Sequence, residues 1–237
     1  MQTITLQPGR GTKLYKNNDQ ILNVEFISKD GKNIGKQIQN SLMIIGNLLG
    51  KIGHLGIASQ NGYKVKIKPD DQYMIINNSP KELNFKFDND ISDHEVIYDP
   101  YLYEDEDHST VDPEVFKKDH PVPDGYIDIL PKWYSIKFTY PDENYIFIRP
   151  GLGISLQTHK QREEHWEVVR GNPIIISGSQ IFYNTQPGDK FDIPLGDLHT
   201  VINDSKDEWI LIKEKYSGHF DEEDIERVFN PNHYVSK

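Results

Sequence analysis

Apolar and polar residues alternate along most of this chain with a period of two. Val65 and Ile67 interleave with Lys64, Lys66 and Lys68, the pattern of a strand with one wet face. Within residues 1–90 the segments 21–27, 41–45, 63–67, 73–76 and 83–87 read as short strands punctuated by Gly, Asn and Asp. From residue 126 the pattern is denser. Segments 126–130, 133–139, 145–149, 153–157, 164–169, 174–177, 180–184, 190–193, 199–203 and 208–216 all read as strands. The segment 221–227 reads instead as a short helix, its acidic start favourable to the helix dipole. The expected fold class is mainly β, with many short strands in a sandwich or barrel.

Three regions follow from this pattern: a β-rich N-terminal domain over 1–96, a connector over 97–119 and a second β domain over 120–237. The connector carries the acidic run Glu104-Asp-Glu-Asp107, which reads as a solvated linker because like charges repel and rarely pack. It lacks the Gly and the spaced acceptors of a calcium loop. An internal echo links the two β regions. Lys68-Pro69-Asp70-Asp71 leading to Ile76-Asn77-Asn78-Ser79 parallels Gln186-Pro187-Gly188-Asp189 leading to Ile202-Asn203-Asp204-Ser205, although the first copy is shorter. The echo suggests that the N-terminal half is a second barrel without the equivalent His.

Composition narrows the chemistry. The 237 residues are 36% hydrophobic and 11% aromatic, with 13 Tyr, which favours sheet over helix. A net charge of -11 with no basic face argues against nucleic acid as a partner. Cys is absent, so any metal must be held by nitrogen and oxygen donors. The longest apolar run, Leu42 to Leu49, is interrupted by Gly46 and Asn47 and is too short for a bilayer. No signal-peptide pattern opens the chain, so a cytoplasmic protein without a membrane partner is expected.

Chemistry concentrates in two strings. One is Gln157-x-His159-x4-Glu164-x-Trp166, ending at Gly171; the other is Gly188-x5-Pro194-x-Gly196-x2-His199-x3-Asn203. Gln157 and His159 lie two apart and share a strand face, as do Glu164 and Trp166. Taken singly, His199 could be a packed core residue, Gln157 a core hydrogen-bonder and Glu164 a solvated charge. Together, two imidazoles, a carboxylate and an amide oxygen suit one divalent ion: Zn, Mn, Fe, Co or Ni. On 208–216, Ile210 and Ile212 set an inward parity that includes Glu214, a candidate proton-transfer base. Arg149, Lys160, Arg162 and Arg227 are the cations available for an anionic substrate.

These two strings are where the chain resembles the cupin superfamily, a jelly-roll β-barrel. Ser155 to His159 with Arg162-x-Glu164-His165-Trp166-x-Val168-Val169-x-Gly171 is similar, more narrowly, to type II mannose-6-phosphate isomerases. It is equally similar to the C-terminal isomerase domain of bifunctional mannose-1-phosphate guanylyltransferases. The resemblance covers roughly residues 120–229. It implies a cupin barrel in the C-terminal half and identifies Gln157, His159, Glu164 and His199 as metal ligands. It also implies Glu214 and Arg227 in catalysis, and Arg149, Lys160 and Arg162 in sugar-phosphate binding. Lys160 and Gln161 depart from the family, which usually carries a His-rich run there. The implied activity interconverts mannose 6-phosphate and fructose 6-phosphate, in a chain that can pair as a homodimer. A non-catalytic cupin holding a small sugar or acid, or another metal-dependent cupin enzyme such as a dioxygenase, are the alternatives.

Overall fold

The computed structural model describes residues 2–18, 20–27, 41–46, 64–219 and 222–233. The chain divides into two compact units, Met1–Pro100 with Ser179–Ile181, and Tyr101–Gly178 with Phe182–Lys237. Among the described residues no helix is long and apolar enough to cross a membrane. Parts of three expected features, Tyr63, residues 47–49 and Asp221, lie outside the described residues.

The first unit holds β1 (Gln2–Leu6), β2 (Leu14–Lys16), β3 (Leu22–Ile27), β4 (Ser41–Gly46), β5 (Lys64–Ile67), β6 (Gln72–Asn77), β7 (Leu83–Phe87) and β8 (Glu95–Tyr98). They form two four-stranded sheets, ordered β1-β7-β3-β5 and β4-β6-β2-β8. Period-two alternation explains the core: in β7, Leu83, Phe85 and Phe87 are buried while Asn84 and Lys86 between them are only partly so. With Leu22, Val24, Ile67 and Tyr73 they fill the interior.

The second unit begins with α1 (Pro113–Asp119). It continues through β9 (Asp128–Pro131), β10 (Ser135–Thr139), β11 (Asn144–Ile148), β12 (Leu156–His159), β13 (Arg162–Arg170) and β14 (Ile174–Ser177). Then come β15 (Gln180–Phe182), whose Gln180 and Ile181 group with the first unit, β16 (Lys190–Ile193), β17 (His199–Ile202), β18 (Ile210–Gly218) and β19 (Ile225–Phe229). The sheets run β16-β13-β18-β11-β10-β9 and β15-β14-β17-β12-β19. Substituting β11, β18, β13 and β16 for β1, β7, β3 and β5, and β14, β17, β12 and β19 for β4, β6, β2 and β8, gives the same two orders. The fold is mainly β throughout, a jelly-roll arrangement built twice.

Three expectations are corrected here. The segment 97–119 is not only a solvated linker, because Asp112 caps α1 by accepting from the Glu114 and Val115 amides, and Phe116 is buried. Phe116 packs with Ile136, Phe138, Phe147 and Leu211, so the sheet is apolar on its outer face as well. The segment 221–227 is not a helix beyond one 3-10 turn at Glu222–Asp224. Ile225 to Phe229 instead pairs with β12, whose edge would otherwise be unpaired. The internal echo is real but its first half is displaced. Leu22 pairs with Ile67 as Glu164 pairs with Ile193, so Lys68–Asp71 corresponds to Pro194–Asp197 rather than to Gln186–Asp189. The equivalent turns close alike, Asp71 N donating to Lys68 O at 3.2 Å and Asp197 N to Pro194 O at 3.1 Å.

The second half of the echo is a buried corner made twice. Asn77 Nδ2 donates to the carbonyls of Leu6 and Lys81, while its Oδ1 accepts from the amide of Ser79. Asn203 Nδ2 donates to Ile148 and Glu208, while its Oδ1 accepts from the amide of Ser205. Both Asn residues are fully buried, and the bonds to Leu6 and Ile148 satisfy carbonyls that are themselves buried.

Candidate metal centre and its cavity

Residues directly opposite each other on antiparallel strands share a face. Gln157 on β12 lies opposite His199 on one side and Arg227 on the other. On the second sheet Glu214 lies opposite both Asn144 and Trp166. Both rows turn toward the barrel interior. His159, Glu164 and His199 are all buried and offer ligand atoms within 4.8 Å of one another.

The electrostatics of this cluster favour a cation. His199 Nδ1 lies 2.9 Å from the Asp197 carbonyl, which fixes the proton on Nδ1 and leaves the Nε2 lone pair facing inward. That Nε2 is buried and has no hydrogen-bond partner among the described residues. Glu164 Oε1 is 3.0 Å from His159 Nε2, and Oε2 is 3.6 Å from His199 Nε2 and accepts from Trp166 Nε1 at 3.2 Å. Burial opposes ionisation of Glu164, but the His159 hydrogen bond, the two imidazoles and Arg162 overcome it and hold the carboxyl at about 2. Burial also lowers the pKa of His199, keeping the ring neutral as a ligand must be. Around His159 Nε2 stand Glu164 Oε1, Gln157 Nε2 at 3.3 Å and Arg162 Nη2 at 3.1 Å, more partners than one ring nitrogen can satisfy. An unshared His199 lone pair, an ionised carboxylate and a crowded second imidazole fit a divalent ion bound by His159, Glu164 and His199. Gln157 stands beside them with its Oε1 accepting from Ser155 Oγ at 2.6 Å, so it would have to turn its amide to ligate through oxygen.

A cavity of about 100 Å³ opens against this cluster, lined by Gln157, Arg162, Glu164, Glu214 and Arg227 among others. Glu214 is 8% exposed, and Asn144 Nδ2 donates to its Oε1 at 2.8 Å. Burial, with repulsion from Glu164, pushes the Glu214 carboxyl up to about 7; Lys137, the Asn144 hydrogen bond and Arg162 pull the other way.

The structure therefore brings seven of the nine expected site residues together and leaves two elsewhere. Arg149 lies over the Tyr103 ring at 4.6 Å and 3.8 Å from Glu106. Lys160 is exposed and pairs with Glu226 at 2.9 Å. Neither lines the cavity. Arg162 does, but its Nε is 2.9 Å from Glu164 Oε1, inside the cluster. Lys132 and Lys137 line the cavity without having been expected. The signal for Lys137 was available as the alternation of Ser135, Lys137 and Thr139 with Ile136 and Phe138. What was missing was that the apolar side of β10 faces α1, leaving the polar side for the cavity.

Part of the chain is similar to known proteins. Residues 135–230 match the family described as mannose-6-phosphate isomerase C-terminal. This region is similar to that family. The alginate biosynthesis protein AlgA of Pseudomonas putida is 32% identical over 83 residues, which is 35% of this chain and 17% of the relative. The xanthan biosynthesis protein XanB of Xanthomonas campestris is 35% identical over 82 residues, again 35% and 17% of the two chains. The chain thus spans only 17% of the length of these relatives. A cupin-2 domain from Rhodospirillum rubrum superposes with a TM-score of 0.34 at 17% identity, over 38% of this chain and 63% of that one. The matched family segment contains the candidate metal ligands His159, Glu164 and His199, as well as Glu214 and Arg227.

Proposed function

We propose that the cupin unit is a metal-dependent sugar-phosphate isomerase interconverting mannose 6-phosphate and fructose 6-phosphate. The observation that carries this reading is Glu214, a buried carboxylate lining the same cavity as Glu164, whose own cluster includes His159 and His199. The reaction moves one proton between C2 and C1 of the open-chain sugar while a hydroxyl proton passes from O2 to O1. When bound, the divalent ion supplies Lewis-acid polarisation of those two oxygens. Glu214 takes the carbon-bound proton from one position and returns it to the other. A carboxyl at about 7 suits both halves of that transfer, being ionised often enough to accept and acidic enough to give back. Asn144 fixes its orientation from the row beside it. Lys132, Lys137 and Arg227 bring positive charge for the phosphate to a chain that is acidic overall.

The test is turnover of mannose 6-phosphate by the full chain loaded in turn with Zn, Mn, Fe, Co or Ni. Conversion that falls on Glu214→Gln supports the reading. Metal binding without conversion under every metal refutes it, and sugar-phosphate affinity without turnover would assign the barrel a binding role instead.

A further inference from the structure

A second, larger cavity of about 680 Å³ lies beside the first and shares Lys132, Tyr134 and Arg227 with it. Its other walls include Trp133, Asn230 and His233. Pockets of about 300–1,000 Å³ are the size that accommodates drug-sized ligands, so this space exceeds what the end of a hexose phosphate would fill. Its lining has two chemistries side by side. Lys132 and Arg227 are cations on the wall common to both cavities, and Arg227 is exposed enough to reach a ligand. Trp133 and Tyr134 are adjacent aromatic rings 5.6 Å apart and nearly perpendicular, both only half-buried. His108 packs against the Trp133 ring at 4.2 Å, and its Nε2 is 2.8 Å from the Tyr103 carbonyl, which steadies the indole. Beyond the rings, the Asn230 amide and the His233 imidazole offer donors and acceptors. Adjoining positive charge, planar apolar surface and peripheral polar groups match a ligand with an anionic end, a flat ring and a polar ring edge.

We propose that this outer cavity binds a nucleoside diphosphate, its diphosphate on Lys132 and Arg227 and its base against Trp133 and Tyr134. Aromatic stacking recognises any base by its face, and amide and imidazole groups then discriminate its edge. Because the two cavities share their cations, the nucleotide competes with the sugar phosphate rather than binding alongside it. The inference rests on Lys132 and Arg227 acting as anion holders, as in the proposed function, but its test needs no turnover.

Calorimetric titration of the full chain with GDP, UDP and dTDP is compared with pyrophosphate. At least one nucleotide should bind 10-fold or more tightly than pyrophosphate. Trp133→Leu should reduce that nucleotide to the pyrophosphate level while leaving pyrophosphate itself unchanged, and Arg227→Gln should weaken both. Equal affinity for pyrophosphate and every nucleotide, or no binding of any, overturns the proposal. Should Trp133→Leu fail to fold, saturation-transfer NMR on the unaltered protein decides: strong transfer to the base protons supports the site, and transfer absent from them overturns it. Isomerase activity without nucleotide binding would refute this inference alone, and nucleotide binding without isomerase activity would refute only the catalytic reading.

Discussion

The two units share strand order, turn and buried Asn corner, yet one encloses a polar cavity where the other, among the described residues, places an apolar cluster. The paired registers give the substitutions position by position. Tyr15 lies opposite Tyr73 as Gln157 lies opposite His199, and the next residue along that face, Asn17, stands for His159. Val24 and Phe87 pair as Trp166 and Glu214 do, which puts Phe87 in place of Glu214 and Leu22 in place of Glu164. Val96 takes the place of Arg227. Where the second unit has the proposed ligands, base and cation, the first has a stacked Tyr15–Tyr73 pair at 5.5 Å inside an apolar cluster. Burying a side chain such as Leu or Phe stabilises by about 1.5–3 kcal/mol, whereas burying an unpaired carboxylate costs stability. The first unit uses these positions for cohesion. The second gives that up for a site, and keeps its fold through the corner and turns that both units retain.

The sharpest way to test this contrast is at Glu214. Replacing it with Gln should lower kcat by about 10²- to 10⁴-fold, the usual worth of a positioned base, with circular dichroism unchanged. Its sign with pH follows from the same group: the carboxyl accepts a proton only when ionised, so kcat/KM should climb as pH rises through about 7, and a profile flat from pH 5 to 9 would remove Glu214 from the reaction. Next in size, His199→Ala should weaken metal binding by about 100-fold or more, given that even the partners behind a ligand are worth 10- to 100-fold. Tyr73→Ala at the equivalent place should leave metal affinity where it was; equal losses in calorimetry would mean that the cation sits elsewhere. Asn77→Ala and Asn203→Ala should each cost about 1–3 kcal/mol in chemical denaturation, because the buried carbonyl of Leu6 or of Ile148 loses its donor. A cost at only one of them would break the structural equivalence. The smallest effect concerns the shared turn. Asp70 has φ 62° where the second unit has Gly196 at φ 79°. Gly196→Asp should lose about 1 kcal/mol and Asp70→Gly should lose little or gain, since only glycine adopts that backbone freely.

Much of the second unit was legible because strand parity and a compact motif act locally. Gln157, His159, Glu164 and Trp166 alternate on strands whose ends are marked by turn residues, and Glu214 follows from Ile210 and Ile212 on its own strand. The rest depended on partners far away in sequence. Leu211 lies on the opposite parity from Ile212 and is buried all the same, because Phe116 covers that side. Lys137 faces the cavity for the same reason. Arg227 was expected from a helix and reaches the site from a strand, because β12 has an edge to fill. The three residues of β2 are too few for alternation to show. In the echo, a Pro followed by a φ-positive residue occurs in both Pro187-Gly188 and Pro69-Asp70, so turn composition alone selected the wrong partner, and only the ladder register corrects it.

Helix α1 has a practical bearing on how this protein can be dissected. A fragment begun at residue 120, where dense alternation sets in, would lose Phe116 and bare Phe138, Phe147 and Leu211 to water, an adhesive surface that invites precipitation. Excising the barrel from Tyr101 onward keeps that lid of aromatic packing in place.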